Sequence, residues 1–268
     1  KDYVKRISVY KETLAVQLPK EVIIYDLLEA DSYEMQYREK TRIMRNLECN
    51  LLVVTSHHIV LCLEKKLQLY DFEGKLEREW TMESVIRYIK VVGGPDKGEG
   101  ILVGLKSGVV FRIFINNSHP VQLIEHGVSI RCLDQSFMRQ KLAVVDDNSE
   151  VTVYDLETKK SIFTDTDANS VSFNSEFEEM LCYSGNGQLS IKTGDFPVHR
   201  QKLEGFVVGF KASKIFCLHY VSMQTIDVPQ SMSMWNYVKV NNFDMAHSVA
   251  CLGVTEKDWS DLGFAALF

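Results

Sequence analysis

Any chemistry in this chain would have to come from its seven histidines, its adjacent carboxylates, a glycine cluster or a serine beside glycine. His57, His58, His119, His126, His199, His219 and His247 show none of the H-E-x-x-H or C-x-x-C spacings that bring ligands to one side of a metal. His57 and His58 are expected in an inter-strand turn, where neighbouring side chains point to opposite faces and do not share an ion. Gly98, Gly100 and Gly104 read G-x-G-x-x-x-G, and a strand is expected to follow. A phosphate needs the amides of a helix N-terminus at that place. Asp146 with Asp147, and Glu178 with Glu179, are adjacent pairs in turns, where carboxylates are solvated. An acid and a base acting on one bond must instead converge from separate strands. Ser107 and Ser184 precede glycines without a G-x-S-x-G elbow. No catalytic, cofactor-binding or metal-binding residue is expected, and no cofactor.

The elements that would hold these residues announce themselves by repetition. Ile24-Tyr25-Asp26, Leu69-Tyr70-Asp71 and Val153-Tyr154-Asp155 close similar short apolar runs. Tyr25, Tyr70, Ile113, Tyr154, Lys192 and Ile226 recur at intervals of roughly 40 residues, the length of a propeller blade. Each unit divides into about four strands at its turn residues. In the clearest, Ile130 to Leu133, Lys141 to Val145, Val151 to Leu156 and Ser161 to Thr164 are strands, with Asp146-Asp147-Asn148 as a turn. In the unit from Asn50 to Thr81 the strands are Leu51 to Val54, Ile59 to Leu63, Leu67 to Tyr70 and Leu76 to Trp80. Runs of four or five apolar residues imply strands covered on both faces. Further units are expected over Arg6 to Leu47, Ile86 to Glu125, Ser170 to Leu203 and Phe206 to Pro229, with Gly93 to Gly100 as a long, mobile loop. The fold class is thus all-β, a WD40-like propeller over residues 1–230. Six blades are visible and a seventh could have been lost at cut ends, since the chain starts without methionine and stops in mid-pattern.

From Ser231 apolar residues recur at spacings of three and four, and helices begin. Phe243, Ala246 and Ala250 form one stripe between an Asn242 cap and Gly253; Trp259, Leu262 and Ala266 form a second after Thr255, whose Asp258 completes a capping box. Two short antiparallel helices are expected. Small alanines let helices approach closely, as at the start of a tetratricopeptide-like α-solenoid over residues 231–268. Trp235, Phe243, Ala246, Ala250, Trp259, Leu262 and Ala266 are the candidate surface by which the propeller hands over to that solenoid.

Composition bounds the partners. With 46% hydrophobic and 25% charged residues among 268, the chain can bury a core and is not broadly disordered. The net charge of −6 and the lack of a basic block argue against nucleic acid. Arg38, Lys40 and Arg42 alternate, as on an edge strand protected by charge. The six cysteines, Cys49, Cys62, Cys132, Cys182, Cys217 and Cys251, are dispersed and read as reduced core residues. Apolar runs such as Ile59 to Leu63 and Phe264 to Phe268 are far shorter than the roughly 18 residues of a membrane span, so no direct insertion is expected.

Several phrases carry a resemblance: Arg78-Glu79-Trp80, Ile86-Arg87-Tyr88-Ile89-Lys90-Val91, Leu102-Val103-Gly104-Leu105-Lys106 and Phe196-Pro197-Val198-His199-Arg200-Gln201-Lys202-Leu203. With Ser213-Lys214-Ile215-Phe216-Cys217-Leu218-His219 and Ala250-Cys251-Leu252-Gly253-Val254-Thr255, they resemble the WD-repeat subunits of intraflagellar transport complex A, at a second propeller and the start of the helical solenoid. The resemblance implies a non-catalytic scaffold in cilium, basal body and cytoplasm. Its implied partners are other complex A subunits and, indirectly, membrane-protein cargo adaptors and dynein-2 trains. The chain departs from standard WD repeats in having no Trp-Asp or Gly-His dipeptide, with Tyr-Asp in the blade-closing place. A vesicle-coat or tethering subunit of the same layout, and a propeller enzyme or small-ligand binder using a central channel, are the alternative readings.

Overall fold

The structure, a computed structural model, describes residues 3–28, 36–220 and 222–267. Two compact units divide it, Lys1–Ile130 and Arg131–Phe268.

The first unit holds three antiparallel four-stranded sheets, each a meander in chain order. They are β1 (Arg6–Tyr10), β2 (Thr13–Gln17), β3 (Val22–Leu28) and β4 (Gln36–Ile43); then β5 (Leu51–Val54), β6 (His58–Leu63), β7 (Lys66–Asp71) and β8 (Leu76–Thr81); then β9 (Ile86–Gly93), β10 (Gly100–Leu105), β11 (Val109–Phe114) and β12 (Val121–Glu125). First strands lie side by side, β1 by β5 and β5 by β9. Ser8 Oγ accepts the Val54 amide at 3.0 Å, and Glu99 Oε1 accepts that of Ser56 at 3.1 Å. The expected loop between Gly93 and Gly100 is therefore pinned at its end, where Glu99 is fully buried.

The second unit repeats the plan. Its fourth sheet is β13 (Ile130–Gln135), β14 (Lys141–Asp146), β15 (Val151–Asp155) and β16 (Ser161–Asp165). The fifth is β17 (Ser170–Phe173), β18 (Met180–Gly185), β19 (Gln188–Thr193) and β20 (His199–Lys202). Among the described residues the sixth has three strands, β21 (Phe206–Lys211), β22 (Lys214–His219) and β23 (Ser222–Asp227). Asp134 Oδ2 accepts the Phe173 amide at 2.8 Å, and Asn174 Nδ2 donates to the Ala212 carbonyl at 2.9 Å, joining consecutive sheets. At Gly185 the chain runs so close to the Asp167 carbonyl that any Cβ would collide with it.

The six repeat positions prove structurally equivalent, all lying on the third strand of their sheets. Tyr25, Tyr70, Ile113, Tyr154, Lys192 and Ile226 face Leu14, Ile59, Ile101, Leu142, Leu181 and Ile215 on the second strands. Tyr-Asp closes β7 and β15 but lies within β3, so it does not always end a strand. In all three sheets that carry it, the ladder to the fourth strand shifts register immediately before the tyrosine, a β-bulge. In the second and fourth sheets the following aspartate organises the turn: Asp71 Oδ1 accepts the Glu73 and Lys75 amides at 3.1 and 2.7 Å, and Asp155 Oδ1 accepts the Thr158 amide at 2.6 Å.

The charged strand β4 lies at the edge of its sheet, with Lys40 on Asp26 at 3.1 Å and Arg42 on Glu39 at 2.8 Å. Four cysteines are buried as expected, but Cys132 is half-buried and Cys251 is exposed, because it follows α2 (Phe243–Ala250) at the helix end. All six are free, and burial pushes the Cys62 thiol up to about 12.

Candidate functional site

Among the described residues three helices follow β23 rather than two: α1 (Ser231–Lys239), α2 (Phe243–Ala250) and α3 (Glu256–Ala265). The first is invisible to capping arguments because Gln230, its N-cap, makes no side-chain cap bond and its first turn carries no acid. Packing holds it instead. Met234 and Tyr237, one turn apart, enter the apolar cluster of the fifth and sixth sheets. The Tyr237 ring meets Phe196 edge-on at 4.8 Å and Phe177 at 6.5 Å. Burial, with Glu179 and Asp195 nearby, raises its phenol to about 12.

The other two helices start where the sequence places them. Asn242 Oδ1 accepts the Met245 amide at 3.2 Å. Thr255 Oγ1 accepts the Asp258 amide at 3.2 Å while Asp258 Oδ2 accepts the Thr255 amide at 3.1 Å, a complete capping box. Asp258 also takes the Ser231 hydroxyl at 2.6 Å and Trp235 Nε1 at 3.3 Å, tying α3 to α1. The Ser231 bond first, then that of Thr255, holds its carboxyl at about 2.

The seven hand-over candidates separate by position. Ala246, Ala250 and Leu262 are buried in the cluster shared with the sheets, and Trp235 and Phe243 pack partly buried against it. Trp259 is 39% exposed, its ring edge-on to His247 at 5.6 Å, and Ala266 is exposed at the end of α3. Sequence reasoning left out Phe264 and Leu267, 63% and 77% exposed on the same last turns. An unbroken apolar run at the end of an amphipathic pattern is the signal that could have found them. A groove of about 180 Å³ separates α1 from the fifth sheet, lined by Ile191, Phe196, Pro197, Val228, Pro229 and Met232 with His199 and Asp227.

The residues suspected of chemistry are dispersed. His58 opens β6 rather than sitting in the turn; its Nε2 lies 3.0 Å from Glu77, whereas that of His57 lies 3.0 Å from Asp96. Both line a polar cleft of about 830 Å³ in the first unit, with Lys40, Arg78 and Lys97 facing Asp71, Glu73 and Glu77. Asp146 Oδ1 serves its own turn, accepting the Asn148 and Glu150 amides at 2.9 and 3.0 Å. Glu178 takes the Met138 amide at 2.6 Å, and Glu179 pairs with Lys141 at 2.5 Å. Ser184 bonds Asn169 at 2.9 Å. Gly100 and Gly104 lie in β10, so a strand does follow the glycines. Among the described residues no three His, Cys, Asp or Glu side chains converge on a metal position.

The family model of the second β-propeller of IFT122 matches residues 1–223. Over 267 residues, all of this chain, it is 52% identical to the proteins named intraflagellar transport protein 122 homolog in Homo sapiens, Danio rerio and Mus musculus. It spans 22%, 22% and 23% of those relatives, so less than a quarter of their length. With six propeller blades, the repeat positions on every third strand and a family match across all six sheets, the chain belongs to the IFT122 second β-propeller family.

Proposed function

We infer that this chain is a non-catalytic interaction scaffold within intraflagellar transport complex A, in a protein that supports retrograde ciliary transport and the ciliary entry of membrane-protein cargo. The observation that carries the reading is the 52% identity to intraflagellar transport protein 122 homologs along the whole chain. The geometry is consistent with it: the Asp146 carboxylate serves a turn, that of Glu178 joins two sheets, and Trp259, Phe264 and Leu267 are exposed on and just after α3. Residues 1–230 form the propeller and residues 231–268 open a helical solenoid, with Trp259, Phe264 and Leu267 as the outward face of the hand-over. Partners are other complex A subunits, and through them cargo adaptors and dynein-2 trains. Many modest interfaces on a polymeric train gain avidity from high local concentration. The protein resides in cilium, basal body and cytoplasm.

Tagging the full-length protein in a ciliated cell and cross-linking the purified assembly tests this. Ciliary signal and cross-links from these residues to complex A subunits are expected. Absence from cilia and basal bodies would overturn the reading.

A further inference from the structure

The groove of about 180 Å³ beside α1 combines a small volume with fixed walls. Ile191 is 5% exposed, Phe196 and Val228 are half-buried, and Pro197, Pro229 and Met232 are exposed, so an apolar floor opens between apolar lips. Phe196 is held by the Tyr237 ring at 4.8 Å, and Val228 by its amide bond to the Ser213 carbonyl at 2.8 Å. The walls therefore stand before any ligand arrives, which lowers the cost of binding. Cofactors and drug-sized ligands occupy about 300 Å³ or more, which leaves this space to one bulky side chain. Met232, unbranched and 62% exposed, is a lip that adapts to the shape of that side chain.

The polar groups at the rim decide what carries it. Gln230 makes no side-chain cap bond, so the first-turn amides of α1 beside Met232 and Ser233 are open to carbonyls of an extended chain. Among the described residues Asp227 is the one carboxylate lining the groove, and no lysine or arginine lines it. Asp227 is exposed, and Lys214, opposite it on β22, makes no ion pair with it. We propose that the groove docks a linear segment of a second protein, in which a large apolar side chain fills the space and a nearby lysine or arginine meets Asp227. Backbone carbonyls of the segment face the α1 amides. Charge selects this occupant over a second copy of the chain, which would bring a net charge of −6 to a rim that already carries a carboxylate. Trp259, Phe264 and Leu267 do not line the groove, so it is a site additional to the hand-over face and holds whether or not the protein is ciliary.

The test uses the full-length protein in cells of its source organism, with a photoreactive benzophenone side chain replacing Met232, whose exposure spares the core. Sequencing of the cross-linked peptides should return a segment of a second protein that holds a large apolar residue with lysine or arginine within about three positions, the reach of a short extended chain. Adding Asp227→Asn should lower the cross-link yield about threefold, as expected for loss of an exposed ion pair. Adding Asp227→Lys should lower it about tenfold or more, because like charges then meet. Should Asp227→Lys also lower the melting midpoint, the Asp227→Asn variant decides alone. Cross-links confined to the same polypeptide, to a second copy, to segments without that pair of residues or to nothing at all would overturn the proposal. So would a yield indifferent to the charge at Asp227.

Discussion

β18 and β22 hold the same second place in adjacent sheets, yet every residue of β18 is buried while β22 alternates between buried and open. Side chains of β18 serve two cores: Met180 and Cys182 enter the cluster of the fifth and sixth sheets, and Leu181 and Tyr183 enter the cluster of the fourth and fifth. β22 serves one, with Ile215 and Cys217 inside and Leu218 outside. Strand sequence alone does not distinguish them, since both read as apolar runs. What differs is cover: among the described residues β18 is buried on both faces and β22 on one. An apolar run is therefore a statement about the completed assembly of sheets, and where one face stays open the run marks a surface awaiting cover.

Paired substitutions can break that contrast. Leu181→Ala, at a site 5% exposed, should cost about 2–5 kcal/mol in denaturant melts. An effect indistinguishable from that of Leu218→Ala would mean the two faces are equally loaded. Gly185→Ala should cost about 3 kcal/mol, because the new methyl meets the Asp167 carbonyl and the backbone must move; an unchanged midpoint would show that the approach is looser than described. Thr255→Ala removes the α3 cap and should cost about 1 kcal/mol, seen first as faster proteolysis around Thr255. Leu218→Ala, 38% exposed, should cost less than about 1 kcal/mol in this chain.

Acid gives the smallest and most local effect. The Asp258 carboxyl is held down at about 2 by its hydroxyl partners, so its contribution is complete above the ordinary aspartate range and is lost as pH falls toward 2. Asp258→Asn should flatten that acid-side loss in α1 and α3 amide protection. Identical profiles for both proteins would rule out the carboxylate as the tie between the helices.

Strand boundaries were legible because alternation and turn residues are local properties. The strands of the fourth sheet, expected at Ile130, Lys141, Val151 and Ser161, start at those residues. Asn242 and the Thr255 and Asp258 pair were legible for the same reason, since a cap is a contact over three residues. The helix α1 was not, because it is held by Tyr237 wedging between Phe177 and Phe196, more than thirty positions away in the sequence. Which hand-over candidates face outward was equally hidden. Ala250 and Trp259 sit in similar stripes, and only the seating of each helix on the sheets decides that one is buried and the other exposed.

The bulge before each Tyr-Asp has a consequence for the rim of the molecule. An ordinary edge strand can slip by one residue, which exchanges its two faces, and only its own side chains resist the slip. In the first, second and fourth sheets an extra residue on the outermost strand, Lys40, Glu77 and Ile162, makes any such shift cost a broken bulge, so alignment is pinned at that one point. The other exposed positions of these strands are thereby relieved of keeping alignment and can take whatever residues a binding partner demands.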